Sequence, residues 1–223
     1  MVDTRLQRIN MVESQIRPND VTDRRITRAM LEVPREAFVP SGMRPLAYME
    51  GELEVAPARD GVPRRMLLAP RTFAKLVQLA ELESGAVVLD IGCGLGYSAA
   101  VLARIAETVV ALESDPVLAE EAARAIEAQA LDNVAVVTGE LDVGYPGEGP
   151  YDAILIEGAV AEVPAHLFDQ LKDGGRLVAV VAGEPIGHAT VWRRQGEAYN
   201  RRVAFTAGAT TLPGFARRAE FVF

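Results

Sequence analysis

The stretch of this chain with the most specific chemistry is Val87-Val-Leu-Asp-Ile-Gly-Cys-Gly-Leu-Gly-Tyr-Ser98. A buried strand that runs into Gly92, Gly94 and Gly96 and then into a helix can turn sharply and admit a ligand where a Cβ would obstruct it. The helix start adds free N–H groups. Asp90 offers a carboxylate to a ligand ammonium group, and Glu113, ending the next strand, can accept hydrogen bonds from both ribose hydroxyls of an adenosyl ligand. A plain strand-to-helix turn would explain the glycines but not the two acids. The spacing, Gly-x-Gly-x-Gly, is also not the Gly-x-Gly-x-x-Gly of a dinucleotide site.

Together these residues resemble the motif of S-adenosylmethionine-dependent methyltransferases with the Rossmann-like fold. The resemblance implies S-adenosylmethionine as cofactor, held by Asp90, Gly92, Cys93, Gly94, Gly96, Glu113 and the adjacent Ser114. Gly139-Glu140-Leu141 matches the place where such enzymes meet the adenine, which adds Glu140 and Leu141, although a solvated turn glutamate is the plainer alternative. Tyr151-Asp-Ala-Ile-Leu-Ile-Glu157 looks like the fourth-strand motif, with Glu157 beside the methyl donor. Leu171-Lys-Asp-Gly-Gly-Arg-Leu-Val178 looks like the entry to strand five and has a structural role. Cys93 reads as a small filler in the loop, since no His is near it in sequence.

The amino-terminal third is more discriminating. Met11-Val-Glu-Ser-Gln-Ile16 and Ala29-Met-Leu-Glu-Val-Pro-Arg-Glu-Ala-Phe-Val-Pro40 closely resemble the protein-L-isoaspartate O-methyltransferase family, and Tyr48 stands where that family has an active-site Tyr. The similarity covers residues 1 to about 185. It implies methyl transfer to the abnormal carboxylate of isoaspartyl-containing proteins or peptides, the first step of their repair. Such a carboxylate, with a reference pKa of about 4, is ionised near neutral pH and needs neither a general base nor a metal.

The family's Gln-Thr-Ile-Ser-Gln-Pro segment reads Arg65-Met-Leu-Leu-Ala-Pro70 here, so Leu68 takes the place of the catalytic hydroxyl and its side chain cannot hydrogen-bond. Family members also carry Gly-Asp-Gly where this chain has Gly139-Glu-Leu141, a Thr where it has Glu157, and a different carboxyl terminus from Glu220-Phe-Val-Phe223. These departures keep two other readings open: a methyltransferase for a small-molecule acceptor, and a cofactor-binding protein without turnover. Arg59, Arg64, Arg65 and Arg71 are possible carboxylate partners, but a solvated basic stretch beside Glu50, Glu52 and Glu54 is the plainer expectation for each.

The elements that must position these residues follow from periodicity. Helical spacing over Leu6, Ile9, Val12 and Ile16 predicts a first helix that Pro18 breaks, and Thr22 is the expected cap of a second, running to Val33 before Pro34. Residues 39–70 read as irregular, and a third helix runs from Arg71 towards Gly85. Strands at 87–89, 109–112, 134–137, 153–156 and 177–181 alternate with helices at 97–107, 116–130 and 164–171, the last stopped by Gly174-Gly175. This alternation predicts an α/β, Rossmann-like, three-layer fold with a mostly parallel sheet. Strand-like pieces at 190–194, 201–206 and 220–223, with a Leu212-Pro-Gly-Phe215 turn, predict an antiparallel carboxyl-terminal hairpin. We expect one domain: a helical, substrate-side extension over 1–84, a cofactor-binding core over 85–182, and antiparallel strands over 183–223.

Composition limits the rest. The 223 residues carry a net charge of −8, against the clustered cations of a nucleic-acid binder. One Cys and two His argue against disulfide frameworks and zinc clusters and suit a reducing compartment, the cytoplasm by expectation. The charged amino terminus and the absence of a long apolar run predict neither signal peptide nor membrane span. The oligomeric state is left open by the sequence.

Overall fold

The computed structural model describes residues 3–59 and 62–216. Seven strands form one sheet: β3 (Val87–Ile91), β4 (Thr108–Glu113), β5 (Val134–Thr138), β6 (Tyr151–Val160), β7 (Leu171–Val181), β8 (His188–Gln195) and β9 (Ala198–Thr206). Their order is β5-β4-β3-β6-β7-β8-β9, parallel through β7 and antiparallel in the last two pairings. Central strands buried on both faces have no polar side to show, which is why their sequences are near-continuous Val, Ile, Leu and Ala. Val88 faces one core and Leu89 the other, and the two cores sandwich the sheet in the expected three-layer α/β arrangement.

The first face is covered by α1 (Thr4–Met11), α2 (Arg24–Glu32), α3 (Pro70–Ala80), α4 (Tyr97–Leu102) and α5 (Pro116–Ala128). In α3, Pro70 occupies the first turn, where its missing N–H costs nothing, and Phe73, Leu76, Val77 and Ala80 form the buried stripe. The other face carries α6 (Ala165–Asp169) and the Leu212–Phe215 turn. The chain runs outward from β3 to β5 and then returns to place β6 on the other side of β3. The β3–β6 border is therefore the switch point at which the strands' carboxyl ends open a crevice.

Several boundaries differ from expectation, each for a local reason. The first helix gives way at Val12 to a π turn, Val12–Ile16, and Leu6 and Ile9 of its apolar stripe face solvent. Asp23, not Thr22, caps α2, its carboxylate accepting from Arg25 N, while Thr22 N donates to Gln78 Oε1. Gly174 and Gly175 lie inside β7 instead of ending a helix: α6 stops at Asp169, and Gly174 takes a positive φ of 81° within the strand. The stretch 39–70 is not wholly irregular, because β1 (Leu53–Ala56) pairs antiparallel with β2 (Arg65–Leu67). The late hairpin is present as β8 and β9, whereas the expected strand at 220–223 lies outside the described residues.

Two pieces close on the crevice. The β1–β2 hairpin comes from the first face. From the other, residues 210–215 are laced to the end of β6 through Ala159 N to Thr210 O (2.9 Å), Leu212 N to Ala159 O (3.0 Å) and Ala161 N to Phe215 O (2.9 Å). Glu52 ties the two together by accepting from Thr210 N (3.0 Å) and Thr210 Oγ1 (3.1 Å).

Gly158 is where this lacing is tightest: a Cβ there would stand 2.6 Å from Leu212 Cγ and 2.9 Å from Thr210 O. Overpacking of this kind costs about 1–3 kcal/mol. Urea unfolding of Gly158→Ala is expected to show that loss, and Gly42→Ala, whose Cβ would meet nothing within 4 Å, is expected to stay near wild type.

Candidate active site

At the carboxyl end of β3 the backbone turns through Gly92 (φ 82°) and Gly94 (φ 56°), conformations that residues with a Cβ rarely adopt. Gly92 N and Cys93 N both donate to Leu112 O, at 2.8 and 3.2 Å, which fixes the loop against β4. A Cβ on Gly94 would meet nothing nearer than Val55 Cγ2 at 3.8 Å, so the loop can be approached there. Cys93 is buried, and burial first, then the Asp90 and Glu113 charges, pushes its thiol well above the ordinary value. A thiol held neutral is a poor nucleophile, in keeping with the filler role.

Asp90 and Glu157 are brought together by the β3–β6 pairing. Glu157 sits in an irregular stretch of β6, where the five residues from Leu155 to Ala159 span only Val178 to Val180 of β7, a bulge that re-aims its side chain. Both carboxyls are buried, at 0% and 5% exposure. Asp90 Oδ2 accepts from Ser98 Oγ at 2.6 Å, but Asp90 Oδ1 and Glu157 Oε1 have no hydrogen-bond partner. Burial pushes Asp90 up to about 7, with the Glu113 charge adding to the rise and the Ser98 bond opposing it. Glu157 is pushed well above the carboxylate range by burial and then by Asp90, against the pull of Arg35. Two neighbouring acids with unpaired oxygens either retain a proton or receive a cation.

Glu113, fully buried at the end of β4, is saturated. It accepts from Gly94 N (2.9 Å), Ser114 N (2.8 Å), Asp115 N (3.1 Å) and Ser114 Oγ (3.3 Å), and its Oε1 pairs with Arg65 Nη1 at 2.6 Å. Arg65 is 2% exposed and donates a further bond to Gly92 O at 3.2 Å. The solvated basic stretch expected of 59–71 is thus overturned at Arg65, whose pairing with a buried acid 48 residues away has no local sequence signal. Arg59 pairs with Asp115 at 2.7 Å, and Arg71 lies at 3.7 Å from Glu50 on the surface.

Leu68, just past β2, is 1% exposed, with its side chain in the core. Its carbonyl accepts from Arg35 Nη2 at 2.7 Å, and Arg35 Nε donates to Ala47 O at 2.8 Å. The buried Arg35 guanidinium lies 4.7 Å from the centre of the Tyr97 ring. Arg35 Nη1 and the Tyr97 hydroxyl have no partner. Arg35 was not singled out by its sequence, although a charge inside Val33-Pro-Arg-Glu-Ala-Phe38 was the available clue. Tyr48 is buried beside this wall, but its hydroxyl donates to Glu36, so it offers no free donor to a substrate. Glu140 is exposed, while Leu141 is buried below it.

Tested against S-adenosylmethionine, this donor set fits at its cationic end. The unpartnered oxygens of Asp90 and Glu157 suit an ammonium group, and Gly94 leaves backbone open beside them. At the ribose end Glu113 ends β4, and Arg65 shares its Oε1 with the donors of Ser114 and Asp115. A Cβ on Gly92 would meet Leu212 Cδ1 at 2.9 Å and Arg65 Nη2 at 3.1 Å, so the chain's own side chains fill that corner.

The family model described as protein-L-isoaspartate(D-aspartate) O-methyltransferase matches residues 7–206. A protein-L-isoaspartate O-methyltransferase of Methanoculleus marisnigri is 38% identical over 177 residues, 79% of this chain and 78% of the relative. One from Hyperthermus butylicus is 35% identical over 209 residues, 88% of this chain and 84% of the relative. Among solved structures, a protein-L-isoaspartate O-methyltransferase superposes with a TM-score of 0.79 at 27% identity, covering 95% of this chain and 66% of that one. A Plasmodium falciparum structure described as a complex with S-adenosyl-L-homocysteine superposes at 0.76 and 19% identity, covering 95% of this chain and 99% of that one, and supports the fold.

The Asp90–Glu157 pair sets a pH dependence. Because the folded pKa values lie above the unfolded carboxylate value, the folded state holds protons that the unfolded chain has already lost. The stability this contributes is full below the unfolded value of 3.8 for Asp90 and is drawn down as pH rises to about 7. Urea unfolding between pH 4 and 7 is expected to show wild type losing stability relative to an Asp90→Asn/Glu157→Gln variant; parallel profiles would contradict the assignment.

Proposed function

The chain belongs to the protein-L-isoaspartate(D-aspartate) O-methyltransferase family, and we propose that it methylates the abnormal carboxylate of isoaspartyl residues in proteins or peptides, with S-adenosylmethionine as the donor. The observation that carries this reading is the pair of unpartnered buried oxygens, Asp90 Oδ1 and Glu157 Oε1, beside the open backbone at Gly94. The bound donor supplies an electrophilic methyl group on a sulfonium. Asp90 and Glu157, with their retained proton released to water, would hold the ammonium group. Glu113 would hold the ribose hydroxyls, with Ser114 N and Oγ orienting the carboxylate, and Leu141 and Glu140 would serve the adenine end.

The acceptor arrives already ionised, so the chain's task is alignment and the exclusion of water. Leu68 suits that task as an apolar wall. Arg35 holds the wall in place through the Leu68 and Ala47 carbonyls, and the missing hydroxyl takes away a positioning contact but no proton-transfer step. Tyr48 contributes through the same wall, its carbonyl accepting from Gln15 Nε2 and its hydroxyl anchored on Glu36. The extent of the family match favours this acceptor over a small molecule and over a protein without turnover. The product methyl ester begins repair of the damaged chain. A lone buried thiol and a charge of −8 suit work on peptides in the cytoplasm rather than on nucleic acid. None of the described helices is long and apolar enough to cross a membrane.

Labelled S-adenosylmethionine is expected to give a base-labile methyl ester on an isoaspartyl peptide and none on its normal aspartyl isomer. Gly94→Val, which fills the open approach and strains a positive φ, is expected to lower the rate by about 100-fold or more. Absence of ester on the isoaspartyl peptide would refute the acceptor.

A further inference from the structure

The ion pair at the ribose end is the feature that the proposed activity leaves unexplained. Arg65 and Glu113 are 2% and 0% exposed, and their 2.6 Å contact uses the oxygen, Glu113 Oε1, that backbone donors also reach from Ser114 and Asp115. Glu113 Oε2 receives Gly94 N. With Arg65 in place, the carboxylate has a cation and four further donors, and little acceptor capacity is left for two ribose hydroxyls. Arg65 Nη2 also holds Gly92 O, and it stands 3.1 Å from where a Gly92 Cβ would be, at the corner of the glycine turn. The aligned family residue is a Gln, which carries no charge to compete for the acid.

We propose that Arg65 is a built-in competitor for the donor's ribose and thereby sets this chain's affinity for the donor: the ribose reaches Glu113 only when the guanidinium withdraws. This rests on the donor site assigned above. The second latch of the same hairpin, Arg59 on Asp115 at 2.7 Å, grips the cap of α5 two residues beyond Glu113, so withdrawal takes place against a doubly pinned segment. Arg59 is 45% exposed and is easily released into water; Arg65 leaves a buried partner and yields only to a ligand that replaces its hydrogen bonds. Arg65 is therefore a specificity-determining residue that lowers the preference for a ribose diol which Glu113 alone would confer.

The test is calorimetric binding of S-adenosylhomocysteine, alongside its 2′,3′-dideoxy analogue, to the full chain and to Arg65→Gln. Expected is at least a tenfold tighter Kd for S-adenosylhomocysteine in the variant, with less than a twofold gain for the analogue, which has no hydroxyls to offer Glu113. Equal or weaker binding of S-adenosylhomocysteine by the variant would overturn the competition while leaving the donor site standing. An equal gain for both ligands would overturn the role of the hydroxyls. Binding by neither protein would remove the donor site itself. Should Arg65→Gln fail to fold, Arg65→Lys, which keeps the charge but loses the fork, is expected to bind S-adenosylhomocysteine more tightly than wild type; no gain there would again overturn the proposal.

Discussion

Charge buried away from water has to be matched by charge, and this requirement governs the carboxyl end of the sheet. Three acids, Asp90, Glu113 and Glu157, and two arginines, Arg35 and Arg65, are each 5% exposed or less there. Removing one partner of such a buried pair costs about 3–5 kcal/mol, because the other is left uncompensated. Arg65 neutralises Glu113 directly. Arg35 reaches Glu157 only through space: its Nε and Nη2 donate to the carbonyls of Ala47 and Leu68, and its Nη1 has no partner. One acid is left over, and the Asp90–Glu157 pair answers by keeping a proton or binding a cation. The glycine turn, the β6 bulge and the two closing segments all serve to hold this arrangement out of water.

Much of the architecture was legible because parallel strands and their helices leave local signatures. The run Val87–Ile91, the switch to helical spacing at Tyr97 and the glycines between them specify a strand, a turn and a helix in that order. The acids were legible for the same reason: Asp90 and Glu113 end consecutive strands, and strand ends are where a parallel sheet exposes backbone to ligands. Where competing local signals existed, the structure chose by tertiary context. Two glycines after a helical stretch suggested a helix stop, yet β7 absorbs them by running alongside β6 from Leu171. The cap moved from Thr22 to Asp23 because Gln78 of α3 claims the Thr22 backbone.

What was not legible is long-range. Arg65 belongs to a segment whose composition suggests solvent, and only the return of the β1–β2 hairpin over β4 carries it into the core. Arg35 and the 158-residue link between Glu52 and Thr210 are of the same kind. Each depends on a pairing that no window of sequence contains. The departures from the family pattern are therefore read differently once placed: Leu68 is a well-packed core side chain whose carbonyl is in use, and the nearby Arg65 is buried against Glu113.

The lacing of residues 210–215 onto β6 has a consequence for how the molecule is made. The crevice needs Leu212 against Gly92 and Gly158, and Thr210 on Glu52, so its walls come from both ends of the chain. During synthesis the sheet up to β7 can assemble with the acids already in place, but the pocket has no second wall until residues 210–215 leave the ribosome. Between those two points the chain holds a half-built crevice in which Arg65 already answers the charge of Glu113.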